Sequence, residues 1–202
     1  MPFASRSSKR LISGGCVRDY KYYLSEVLIP QEALEKRIAE LGEQISLDYK
    51  YKGELVLVCI LRGGVLFLTD LIRKISIPHA IEFMAVSSYG LGGRESTGQV
   101  RITLDLNLDI FNKHVLLVED IIDSGHTISA VTQFLATRRP ASISVCTLLD
   151  KEERREVPVP IRYRGFTIPN KFVFGYGLDL DDYYRNLPFI GVVDLNKYNE
   201  PE

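Results

Sequence analysis

The residues best suited to chemistry lie in one stretch, "VEDIIDSGHT", at residues 118–127. Three carboxylates, Glu119, Asp120 and Asp123, follow an unbroken apolar run. A turn of small and polar residues, Ser124, Gly125, His126 and Thr127, comes next. Backbone N–H groups of such a turn, helped by the Ser124 and Thr127 hydroxyls, converge on an anion at the positive end of the helix that follows. Two adjacent acids beside a phosphate site can accept hydrogen bonds from vicinal ribose hydroxyls or help to hold a hydrated divalent cation. The stretch therefore reads as a ribose-phosphate cradle. Two other readings compete with it. Asp123 or Ser124 could simply cap a helix above a solvated strand end. A receiver-type phosphoacceptor aspartate also sits at a parallel strand end, but leaves the glycine-rich loops elsewhere unexplained.

The elements that must position these residues alternate along the chain. "IPQEALEKRIAELGEQI" spaces Leu34, Ile38, Leu41 and Ile45 as an amphipathic helix, with Pro30 near its first position. "ELVLVCILRGG" reads as a strand buried on both faces and ended by paired glycines, and "VLFLTDLIRK" as a short helix returning across the sheet. A further strand, "HAIEFMAVSSYG", leads into the irregular, mobile "GLGGRESTG" and an alternating "QVRITLDL". After the strand that carries the acids come a helix to about Thr137 and the strand "SISVCTLLD". "KFVFGYG" and "FIGVVD" supply two more short strands, while "EVPVPIRYRG" and "LDLDDYYRN" read as loops or edges. This alternation predicts an α/β fold with a mostly parallel central sheet flanked by helices, and ligands at the carboxyl ends of the strands.

Bulk properties narrow the function classes. A length of 202 residues suits one domain. A formal net charge of -1 excludes a long-range basic field toward nucleic acid, so any anion site must be local. Cys16, Cys59 and Cys146 show no metal-binding spacing, and the latter two sit in apolar runs as small buried hydrophobes, which fits a reducing cytoplasm. No apolar stretch approaches the roughly 18 residues of a membrane span, and no secretory signal is present. The opening "MPFASRSSKR" mimics an organellar transit peptide and is read as a flexible basic terminus over residues 1–20.

"VLLVEDIIDSGHT" closely resembles the phosphoribosyl-diphosphate (PRPP) motif of type I phosphoribosyltransferases: a long apolar strand, two acids, two apolar residues, Asp, small, Gly, any, Thr. Further features place the resemblance in the hypoxanthine-guanine branch and extend it over nearly the whole chain after Lys21. "LRGG", with Leu61, Arg62 and Gly63, resembles the pyrophosphate loop, in which the peptide before the basic residue is often cis. "SSYGLGGRESTG" is similar to the lid that closes Ser88 and Tyr89 over the reacting centre. Lys151 matches the lysine that donates to purine O6, Phe172 the aromatic that stacks on the base, and Val173 the residue whose backbone meets the purine edge. Asp179 matches the acid near metal and base, and Arg185 the arginine on pyrophosphate. His126 departs from the pattern, standing where relatives often carry lysine or arginine.

The resemblance implies transfer of the phosphoribosyl group from PRPP to N9 of hypoxanthine or guanine, giving IMP or GMP and pyrophosphate. Asp123 would be the general acid/base, and Mg²⁺ would rest near Glu119, Asp120 and Asp179. It further implies a single domain over residues 21–202, a small hood from the terminal segments, and a homodimer or homotetramer. The alternatives are a xanthine- or pyrimidine-preferring transferase and a nucleotide-sensing regulator on the same scaffold.

Overall fold

The computed structural model describes residues 12–13, 16–88 and 100–200. In chain order the elements are β1 (Ile12–Ser13), β2 (Cys16–Val17), α1 (Tyr20–Tyr23), β3 (Leu24–Ile29), α2 (Gln31–Tyr49), β4 (Leu55–Leu61), α3 (Val65–Ile72), β5 (Ala80–Ser88) and β6 (Val100–Leu104). There follow β7 (His114–Ile122), α4 (His126–Ala136), β8 (Ser142–Asp150), a 3-10 turn (Glu152–Arg154), β9 (Ile161–Thr167), β10 (Val173–Phe174), β11 (Ile190–Val193) and α5 (Leu195–Asn199).

Period-two alternation builds both faces of the main sheet. Leu57, Cys59, Leu116 and Val118 point into one core with Leu34, Ile38, Leu41 and Ile45 of α2 and Phe67, Leu68 and Leu71 of α3. Their neighbours Val56, Val58, Val115 and Leu117 enter the other core with Ile128, Val131 and Leu135 of α4. Strands covered on both sides can therefore be apolar throughout, which is how β4 and the first half of β7 read. Burial pushes the Cys59 thiol up to about 12 and raises that of Cys146 as well, so both behave as packing residues.

The six strands run in the order β6-β5-β4-β7-β8-β9, with β6 alone antiparallel to its neighbour. From β4 the chain passes to β5 on one side and then returns to β7 on the other. The carboxyl ends of β4 and β7 thus flank the switch point where parallel sheets open a crevice. Residues 161–167, expected as a loop or an edge, are the edge strand β9.

A second, antiparallel sheet, β10-β11-β3, forms the hood. Its central core contains Tyr23, Phe174, Leu180, Leu187 and Val193. Strand β3 was not foreseen, because Ser25, Glu26 and Val27 are exposed and leave it little apolar periodicity. Residues just ahead of β3 also touch this unit: Asp19 caps α1 by accepting from Lys21 N, and the Tyr184 hydroxyl donates to the Arg18 carbonyl.

Leu117 is wholly enclosed between β4, β8 and α4. Leu117→Ala should cost about 2–5 kcal/mol of unfolding free energy through lost burial and a residual cavity, read as an earlier midpoint in chemical denaturation with an unchanged slope.

Candidate active site

At the end of β4 the Leu61-Arg62 peptide is cis, and Gly63 and Gly64 turn the chain into α3. The turn is pressed against β7. A β-carbon on Gly63 would lie 1.6 Å from Asp120 Oδ2, and one on Gly64 would lie 2.9 Å from Cys59 Sγ, so a side chain at either position would displace the group packed against it. The hood closes on the same turn from above. Gly177 has φ +97, and a β-carbon there would lie 2.2 Å from the Gly63 carbonyl oxygen. Asp120, Gly63 and Gly177 therefore stack without an intervening side chain.

The hood loop brings two further predicted residues to this stack. Arg185 donates through Nη1 to the Gly177 carbonyl at 2.7 Å and pairs through Nη2 with Asp179 Oδ1 at 2.6 Å. Asp179 Oδ2 accepts from Asp182 N at 2.9 Å, and Asp182 pairs with Arg62 at 3.2 Å, both side chains largely exposed. That last contact tethers the two loops and is worth little in stability, because exposed ion pairs contribute at most about 1 kcal/mol. Positive φ angles at Tyr176, Asp181, Asp182 and Tyr184 bend the loop into tight turns closed by the bridges Gly175 to Leu178 and Leu180 to Tyr183.

Strand β7 does not end at the apolar run but continues through Glu119 and Asp120 to Ile122. Their carboxylates are thereby carried into the crevice and out of water. Glu119 is half-buried as a residue, yet its Oε2 is enclosed with no hydrogen-bond partner among the described residues. Burial, with Asp120 alongside, holds the Glu119 carboxyl well above the usual range. Asp120 is also buried; desolvation pushes it up to about 6, despite the Ile121 N–H at 2.9 Å and the nearby Arg185. A solvated strand end is therefore not what these acids form. A buried carboxyl oxygen without a hydrogen-bond partner is uncommon in a folded protein.

Helix α4 begins beyond Asp123. Its N-cap is Gly125, at φ 90, and neither Asp123 nor Ser124 caps it: no side chain makes a capping hydrogen bond. The first-turn N–H groups, beside the Ser124 and Thr127 hydroxyls, are thus presented at the positive end of the helix dipole, as an anion site requires. His126, the departure from the family pattern, meets Glu156 at 2.9 Å through Nε2.

Register then sets the base end of the site. Ile122 pairs with Asp150, so the next residues on both strands, Asp123 and Lys151, leave the sheet side by side. Lys151 N donates to the Ile122 carbonyl at 3.0 Å. The lysine is only 7% exposed, unlike an ordinary solvated lysine, and its Nζ lies 3.9 Å from Asp123 Oδ2. Burial lowers its pKa against the opposing pull of Asp123. Phe172, half-buried at the head of β10, sets its ring edge-on to Tyr198 at 5.7 Å, and Val173 is buried beside it. Ser88 ends β5, and Tyr89 lies outside the described residues. Reasoning from sequence passed over Gly177, Asp182, Arg154 and Glu156. Arg154 donates to Asp123 Oδ1 at 3.0 Å, but within "KEERRE" it reads as part of a solvated charge run.

The raised Asp120 carboxyl has a consequence for stability. Its folded value lies above its unfolded one, so the folded state binds the extra proton between the ordinary carboxylate range and about pH 6, and stability falls as pH rises through that window. Asp120→Asn should therefore raise the melting temperature of the ligand-free protein above pH 6, by the equivalent of about 2–3 kcal/mol, with no gain below about pH 4. Paired thermal melts at several pH values check this.

Comparison with known proteins accords with the geometry. The model of the phosphoribosyl transferase domain matches residues 26–181. The hypoxanthine phosphoribosyltransferase of Salmonella typhimurium is 52% identical over 171 residues, covering 84% of this chain and 96% of the relative. The hypoxanthine-guanine phosphoribosyltransferase of Mycobacterium tuberculosis is 46% identical over 199 residues, covering 96% and 98%. The crystal structure of a hypoxanthine phosphoribosyltransferase from Staphylococcus aureus superposes with a TM-score of 0.85 at 44% identity, covering 89% of this chain and 97% of that one. A family model that matches most of the chain, and relatives about half identical over most of its length, show that the chain belongs to the phosphoribosyltransferase family.

Proposed function

We propose that the protein works in purine salvage, transferring the 5-phosphoribosyl group of PRPP to N9 of hypoxanthine or guanine and releasing pyrophosphate. The observation that carries this reading is the pairing of a nearly buried lysine, Lys151, with Asp123 at neighbouring strand ends, next to an uncapped helix. The identity to hypoxanthine and hypoxanthine-guanine phosphoribosyltransferases supports it.

In this reading the α4 N-terminus and residues 123–127 hold the 5-phosphate, and Glu119 and Asp120 accept from the ribose hydroxyls. Donors around Leu61, Arg62 and Gly63, together with Arg185, receive the diphosphate as the C1–O bond breaks and charge gathers on the leaving group. Phe172 stacks on the base, and Val173 offers it backbone groups. Ser88 and Tyr89 belong to the lid that excludes water. Asp123 exchanges a proton with purine N7 while N9 attacks C1. Lys151 donates to O6, an interaction that adenine, with a donor at that position, would leave unsatisfied.

Magnesium is the cation we propose. The enclosed, unpartnered Glu119 Oε2 and the desolvated Asp120 suit a positive group nearby. Mg²⁺ keeps several waters and bridges phosphate oxygens, so it would be held largely by PRPP and water. Asp179, whose carboxylate keeps lone pairs beyond those used by Arg185 and Asp182, is the protein-side ligand, with Glu119 and Asp120 close by. Once bound, the ion would offset negative charge developing on the diphosphate. A homodimer or homotetramer and a cytoplasmic location complete the proposal, the latter supported by the free thiols of Cys59 and Cys146. No helix among the described residues is long and apolar enough to cross a membrane.

The direct test is nucleotide formation from PRPP and Mg²⁺ with hypoxanthine, guanine, xanthine and adenine in parallel, followed by ultraviolet absorbance. Turnover of hypoxanthine or guanine with adenine inert is expected; turnover of adenine would remove the O6 role of Lys151. In the same assay Asp123→Asn should lower kcat about 10²-fold or more while PRPP still binds by calorimetry. An unimpaired mutant would take the proton-transfer role away from Asp123.

A further inference from the structure

We infer that Arg154 is a positioning residue that draws the Asp123 carboxylate away from Lys151, leaving the lysine ammonium available to the 6-oxo group of the base. The inference rests on the roles proposed above for Asp123 and Lys151. Its basis is an asymmetry around one carboxylate. Asp123 Oδ1 accepts from Arg154 Nε at 3.0 Å, a full hydrogen bond, whereas Asp123 Oδ2 stands 3.9 Å from Lys151 Nζ. Charge-assisted N–H···O contacts close to about 2.7–2.9 Å when nothing opposes them. A desolvated lysine gains more from such closure than an exposed arginine does, so the open gap needs a cause.

The backbone supplies it. Arg154 N donates to the Lys151 carbonyl at 3.0 Å, closing the 3-10 turn that swings residue 154 back over the phosphate loop. Glu156 N and Val157 N then both donate to the Ser124 carbonyl, at 3.0 and 3.2 Å, and pin the returning segment next to Asp123. The Arg154 side chain is half-exposed, so it can hold Asp123 and still give way when a purine enters. Without it, Asp123 would close on Lys151, and the incoming O6 would have to displace a formed ion pair.

The test is a double-mutant cycle on the full-length protein, with kcat and KM measured separately for hypoxanthine and PRPP. Arg154→Ala should raise KM for hypoxanthine about three- to tenfold and leave KM for PRPP within about twofold, while Arg154→Lys recovers part of the loss. In an Asp123→Asn background, where a neutral amide offers Lys151 no ion pair, Arg154→Ala should change KM for hypoxanthine by less than about twofold. An unchanged KM in Arg154→Ala, an equal change in both backgrounds, or a parallel rise in KM for PRPP would each overturn the inference while leaving the roles of Asp123 and Lys151 intact. Full activity of Asp123→Asn alone would instead remove the reading on which the inference stands.

Discussion

The space that Gly63 leaves for the Asp120 carboxylate is the constraint on which the rest of the site depends. With the oxygen lying where a β-carbon would be, the end of β4 and the end of β7 touch as backbone against carboxylate. Gly177 repeats the arrangement one layer higher, meeting the Gly63 carbonyl with no side chain between. Two glycines thus bring the turn after β4, the Asp120 carboxylate and the hood into one contact. A β-carbon at Gly177 would run into backbone, which a close-packed interior cannot move cheaply, and one at Gly63 would push the Asp120 carboxylate from its place.

The stack also explains why the acids are desolvated. Asp120 is covered by the turn and the hood loop, and Glu119 beside it has one oxygen shut away from any donor. Such an arrangement costs folding free energy in the absence of ligand, since a buried carboxylate loses hydration that its few hydrogen bonds replace only in part. The cost is tolerable because the strands beneath are covered on both faces. The apolar residues that precede these acids on β7 alternate between two cores, and the chain turns polar only where the sheet ends. Stability is concentrated below the crevice and chemistry above it.

Where the glycine contacts end, charged side chains hold the acids of the site in place. Asp123 stands between an exposed arginine and a buried lysine, and Asp179 between Arg185 and the backbone of Asp182. Asp123 is held by the arginine at hydrogen-bond distance, whereas the lysine stands 3.9 Å away.

The sequence alone was enough for the α/β alternation, the two-faced strands, the turn at 123–127 into a helix and the glycine turn at 63–64, because each rests on local periodicity or on residue types that few other structures need. It also revealed that hood strands lie near the end of the chain. Tertiary structure alone decided which strands are neighbours, and with that everything that depends on neighbours. The return from β5 across β4 to β7 created the switch point. The pairing of Ile122 with Asp150 put Lys151 beside Asp123 and buried it, although a lysine after a strand is ordinarily solvated. The weakly patterned β3 became a strand only because β11 was there to pair with it. Arg154 and Gly177 gained their places through partners 31 residues away in one case and more than a hundred in the other, a separation that no local pattern encodes.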